Sequence, residues 1–113
     1  MMLLKDIAQS QAQSTAPGIG IHWLITRKEG APNFTMRVIE IAPGVVFAPH
    51  QHPYEHEIYV LEGRGVVTNP AGDVGAMQPG VYLLVPPDEP HGYRNTGEQT
   101  LKFICVIPNP QEA

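Results

Sequence analysis

Residues 50–63 read HQHPYEHEIYVLEG, and the reading of this stretch decides the rest. The chain holds five histidines, and three of them, His50, His52 and His56, fall within its first seven positions. A packed core rarely takes that much imidazole, whereas a metal ion does. Side chains at i and i+2 of a strand share a face, about 6.5–7 Å apart, so His50 and His52 can lean toward one point. Pro53 has no amide to donate and tends to end a ladder. PYE then reads as a tight connection that returns HEIYVLEG on an adjacent antiparallel strand, with His56 across from the pair. Three imidazoles could so converge on one ion at about 2.0–2.2 Å per bond. Surface histidines beside a turn would explain one or two such residues, but H-x-H-x-x-x-H between β-rich segments points to metal.

Outward from this stretch, short strand-like runs alternate with turn chemistry. IGIHWLIT is followed by RKEGAPN, FTMRVIEI by APG, and VVFAPHQH by PYE and HEIYVLEG. RGVVT precedes the turn-rich NPAGDVGAM; VYLLV follows QPG and precedes PPDEP; HGYRN, the turn TGEQ and LKFICVIP close the series. No window sustains the i, i+3, i+4, i+7 spacing of an amphipathic helix. The spacing predicts an all-β chain, a sandwich or barrel. Twelve prolines and eleven glycines spread along the whole length agree with many short strands. At the N-terminus, Met2 to Ile7 reads as a short strand and residues 8–18, AQSQAQSTAPG, as a polar linker. The division is thus an arm over 1–18 and a single barrel domain over 19–113.

A length of 113 residues suits one domain. A net charge of −4, with the seven Lys and Arg scattered, argues against a nucleic-acid surface. No apolar run approaches the ~20 residues that span a bilayer, and MMLLKDI is too short for a secretory leader. The one cysteine, Cys105, excludes an intrachain disulfide. Together these predict a cytoplasmic protein with neither nucleic-acid nor membrane partners.

A second stretch, GVYLLVPPDEPHGYRN over Gly80 to Asn95, places His91 after a proline-rigid turn. With this piece in hand the chain resembles a cupin. That family's first motif is G-x5-H-x-H-x3–4-E-x6-G and its second G-x5-P-x-G-x2-H-x3-N. The first begins here at Gly44 and reaches His50 and His52; the second runs Gly80, Pro86, His91, Asn95, with Asp88 where the motif has Gly. Six residues separate His56 from Gly63, as the motif asks, and only five separate Glu57 from it. His56 therefore occupies the acidic position, and Glu57 should face the other way. The resemblance is to the four-histidine manganese cupins, and it implies a double-stranded β-helix (a jelly-roll-like barrel), a homodimer, and one mononuclear ion on His50, His52, His56 and His91 with two open positions.

Four neutral ligands leave a divalent ion its full charge, which favours a small organic anion. Manganese, then iron, follow from the resemblance; by ligand softness zinc, nickel and copper also fit. Parity along LKFICVI places Phe103 and Cys105 inward, and Tyr93 follows His91 on the inner face. With Arg37, these residues form the expected substrate pocket. His22 reads as structural or interfacial, and Trp23 and Phe34 as core. The expected function is a metal-binding cupin enzyme of oxygenase type, acting on a small anion with O2; the alternative is a non-enzymatic, metal-dependent ligand-binding protein.

Overall fold

The computed structural model describes residues 2–110. Among the described residues ten strands form: β1 (Gln13–Ala16), β2 (Ile19–Ile25), β3 (Phe34–Ile41), β4 (Val46–His50), β5 (His56–Glu62), β6 (Gly65–Asn69), β7 (Gly72–Met77), β8 (Tyr82–Val85), β9 (His91–Asn95) and β10 (Leu101–Pro108). They make two sheets, ordered β1-β2-β3-β10-β5-β8 and β4-β9-β6-β7, with every pairing antiparallel. This is the all-β, double-stranded β-helix architecture. Among the described residues the only helical pieces are two 3-10 turns, and no helix is long and apolar enough to cross a membrane.

The period-2 pattern of β10 shows how sequence becomes core. Leu101, Phe103, Cys105 and Ile107 are buried, while the residues between them are only partly covered. Burying a side chain the size of Leu, Phe or Ile is worth about 1.5–3 kcal/mol, so this one strand anchors the sheet. It lies between β3 and β5, with Cys105 opposite Arg37 on one side and Ile58 on the other. Facing side chains Val67, Met77 and Tyr93 from the second sheet complete the core.

Several expectations are corrected. Met2 to Ile7 forms no strand; residues 2–6 carry no regular structure, and a 3-10 turn occupies Ile7–Gln9. Asp6 caps that turn through Ala8 N and Gln9 closes a capping box, which competes with extension. The segment read as linker instead holds β1, paired with β2. β7 lies inside NPAGDVGAM, where Gly72 and Gly75 masked a strand signal. Trp23 and Phe34 are not core: they are 40% and 65% exposed. Finally, β4 and β5 are not neighbours. β4 pairs with β9, and β5 pairs with β10 and β8. PYE is a crossing between the two sheets.

Candidate metal centre

Four histidines arrive at one end of the barrel by different routes. His50 is the last residue of β4 and His91 the first of β9, and the two are register partners. A bulge between Phe47 and His50 re-aims β4 at this point. Gly92 permits the close approach, since a Cβ there would meet Phe47 O at 2.5 Å and Pro49 N at 2.8 Å. His52 lies beyond β4 in the crossing, and His56 opens β5 on the other sheet. The amide of Asp88 donates to His52 O at 2.7 Å, tying the two motif loops together. Asp88 has φ +64°, the left-handed region where glycine is favoured and Asp is tolerated.

The ligand nitrogens of His50, His52 and His91 lie within 4.8 Å of one another. His56 is outside that tight group, its ring stacked on His52 at 4.2 Å between centroids and 5.1 Å from His91. Three of the four rings are held by Nδ1. That of His50 lies 3.2 Å from Ala48 O, that of His91 2.8 Å from Glu89 O, and that of His56 3.3 Å from Cys105 Sγ. The carbonyl partners of His50 and His91 can only accept, so those two rings carry the proton on Nδ1 and keep Nε2 free as a ligand. Nε2 of His56, Nε2 of His91 and Nδ1 of His52 are buried without any hydrogen-bond partner. Buried polar atoms are normally paired, so these orphaned nitrogens and the all-imidazole donor set fit a divalent transition ion.

Burial, with the neighbouring positive groups, favours the neutral form of three rings. It lowers His50, takes His52 down to about 4 with help from His50 and His91, and takes His56 to about 3 with help from Arg37. Neutral imidazole is the form that binds metal.

The other expected pocket residues gather beside this cluster. Arg37 Nη2 donates to Cys105 Sγ at 3.1 Å, while its Nε is buried and unpartnered. Its guanidinium also sits over the Trp23 ring, 5.2 Å from the centroid, which explains how Trp23 packs without being buried. Tyr93 is buried with its hydroxyl unpartnered, its ring 5.9 Å from His91 and 4.9 Å from Phe103. Burial raises the Tyr93 phenol and the Cys105 thiol above their ordinary values. Phe103 thus reaches the histidines through Tyr93. Glu57 is exposed, as the motif count requires.

Two contributors were missed in the sequence. Tyr54 stacks on both His52, at 4.9 Å, and His56, at 5.7 Å; its position midway between them, two residues from each, was the available signal. Phe47 lies 4.9 Å from His50 and meets Tyr93 edge-on at 5.6 Å. His22 is structural. Its Nδ1 pairs with Ser10 Oγ at 2.7 Å and its Nε2 with Glu40, fastening the N-terminal arm to the sheet.

Comparison with known proteins places the fold. A family model described as a cupin domain matches residues 37–107. Over its whole length the chain is similar in structure to the polyketide cyclase RemF from Streptomyces resistomycificus, with 31% identity, a TM-score of 0.89 and 83% of that chain covered. It is 34% identical over 93 residues to the dimethylsulfoniopropionate lyase DddW of Ruegeria pomeroyi, covering 79% of this chain and 60% of that protein. The oxalate-binding protein of Thermotoga maritima is 34% identical over 70 residues, 61% of this chain and 57% of its own. The chain spans only about half to three-fifths of the curated relatives it matches.

Proposed function

The chain belongs to the cupin family, and on that premise we propose that His50, His52, His56 and His91 hold one divalent ion, manganese first and iron next, beside a site for a small organic anion. The observation that carries the reading is the convergence of three imidazoles within 4.8 Å, among buried nitrogens that have no partner. His56 enters the set through its place in the motif and its contact with the His52 ring.

When bound, such an ion supplies Lewis acidity and, as manganese or iron, redox chemistry. The chain's own groups define what sits beside it. Arg37 Nε and the Tyr93 hydroxyl are buried donors without acceptors, which suits a carboxylate or enolate oxygen. With its phenol raised by burial, Tyr93 keeps its proton at neutral pH and would donate it in a hydrogen bond to a bound anion. Neutral ligands leave the ion's charge undiminished, and Arg37 adds to it.

Within this frame the sequence favours an oxygenase-type enzyme. Similarity along the whole chain to a polyketide cyclase supports a second reading, in which a carbonyl anion is polarised rather than oxidised. Likeness to an oxalate-binding protein supports the third, capture without turnover. We also infer a homodimer, because Tyr59, Tyr82 and Leu84 leave an apolar outer face on the six-stranded sheet.

Elemental analysis of tag-free protein by plasma mass spectrometry tests the metal. We expect about one ion per chain, lost in His56→Ala; no uptake after reconstitution sinks the reading. Oxygen consumption with a panel of small enols, diketones and phenols separates the chemistries. Consumption supports the oxygenase, product formation without it the polarising enzyme, and thermal stabilisation alone the binder.

A further inference from the structure

Cys105 is a buried free thiol that the proposed chemistry does not use. Its sulfur has two neighbours of unequal kind. Arg37 Nη2 donates to Sγ at 3.1 Å from β3, and Nδ1 of His56 lies 3.3 Å away from β5. A guanidinium only donates, so the sulfur is already an acceptor on one side. The other nitrogen of His56, Nε2, is buried with no partner, in a residue only 2% exposed. If Nδ1 carries the proton, Sγ accepts it as well and Nε2 is left with its lone pair free.

We propose that Cys105 is a positioning residue for His56: its sulfur accepts the Nδ1 proton, fixes the ring's tautomer and orientation, and presents Nε2 to the ion. The proposal rests on the metal reading above. The same sulfur anchors Arg37, so the orientation of a metal ligand and that of the anion-binding guanidinium depend on one atom. β10 makes this possible by lying between β3 and β5, with Cys105 opposite Arg37 and Ile58. The other histidines held by Nδ1 use backbone carbonyls, Ala48 O and Glu89 O. His56 is alone among them in relying on a side chain, and so is the ligand a point substitution can misdirect.

Two variants separate this role from packing. Cys105→Ser keeps an acceptor in a smaller side chain; Cys105→Val fills the volume without one. The full chain would be stripped of metal and titrated with Mn2+ and, separately, Zn2+ against a competing chelator. We expect Cys105→Val to bind either ion about 10- to 100-fold more weakly than the wild type, and Cys105→Ser to stay within a few-fold of it. In parallel, long-range proton–nitrogen NMR of the metal-free protein at pH 7 reads the His56 tautomer. It should be Nδ1–H in the wild type and Cys105→Ser, and shift or mix in Cys105→Val. Wild-type affinity and an unchanged Nδ1–H tautomer in Cys105→Val overturn the proposal and leave the metal site standing. A wild-type chain that takes up neither ion overturns the metal reading, and the tautomer then still decides the sulfur's role. Should Cys105→Val not fold, Cys105→Ala supplies the acceptor-free variant for both readouts.

Discussion

Asn95 and His56 are equally buried, each 2% exposed, yet they sit at sites of opposite character. Asn95 is fully engaged: Nδ2 donates to Ile41 O and Gln99 O, each at 2.8 Å, and Oδ1 accepts from Gly97 N at 2.9 Å. Two of these bonds seal the turn between β9 and β10, and the one to Ile41 O ties that turn to the end of β3. Near His56, by contrast, three imidazoles, Arg37 and Tyr93 each keep a buried polar atom with no partner. The fold satisfies its polar groups where it needs only to be stable. It leaves them open at one end, and the unmet hydrogen-bonding capacity there is what the proposed ion and anion would meet.

The widest split between the two ends should come from Asn95→Ala. It strands two carbonyls and an amide, and we expect a loss of about 3 kcal/mol, read by denaturant unfolding of the metal-free protein. His56→Ala, in the same assay, should cost far less and abolish metal uptake instead. Equal losses would erase the distinction. Next in size is Gly92→Ala, whose Cβ would lie 2.5 Å from Phe47 O. We expect about 1–3 kcal/mol of destabilisation from the forced shift, together with weakened metal binding as β4 moves off β9.

Acid should strain the open end selectively. Unfolded, His52 and His56 take up protons near 6.5; folded, only near 4 and 3. The unfolded chain therefore binds more protons between these values, so stability is whole above pH 6.5 and falls as pH drops toward 4 and below. Melting of the metal-free protein across that range should show the fall, and His56→Ala should reduce it, leaving the part due to His52. The smallest effect belongs to Asp88→Gly. Gly suits φ +64° but raises unfolded-state entropy, so the net change should stay within about 1 kcal/mol. Asp88→Val, in the same melting assay, should be clearly worse.

Much of this was legible because strands encode themselves locally. FTMRVIEI and LKFICVIP match β3 and β10 residue for residue, since alternation directly states which side is buried. Pairing is not local. Nothing in PYE announces a crossing rather than a hairpin, because the partner of β4 lies some forty residues downstream in HGYRN. The histidine spacing singled out His50 and His52, which the fold brings together with His91, and the count to Gly63 agrees with His56 being buried and Glu57 exposed. Tyr54 escaped because a tyrosine in a turn looks like connection, and its role exists only once His52 and His56 are stacked beneath it. The N-terminal strand failed because MMLLKDI has apolar residues without alternation, and Asp6 and Gln9 supply a capping box.

The crossing at PYE has one more consequence. His50 and His91 belong to one sheet and His56 to the other, so a bound ion would rivet the two layers at the mouth of the barrel. Breathing of that mouth, the first step by which solvent enters such a sandwich, would then require a coordination bond to break. Amide hydrogen exchange at the facing ends of β5 and β9 would slow together when metal is added, while exchange around Asn95 would stay as it was. Occupancy of the centre would in that sense report the mechanical closure of the whole barrel.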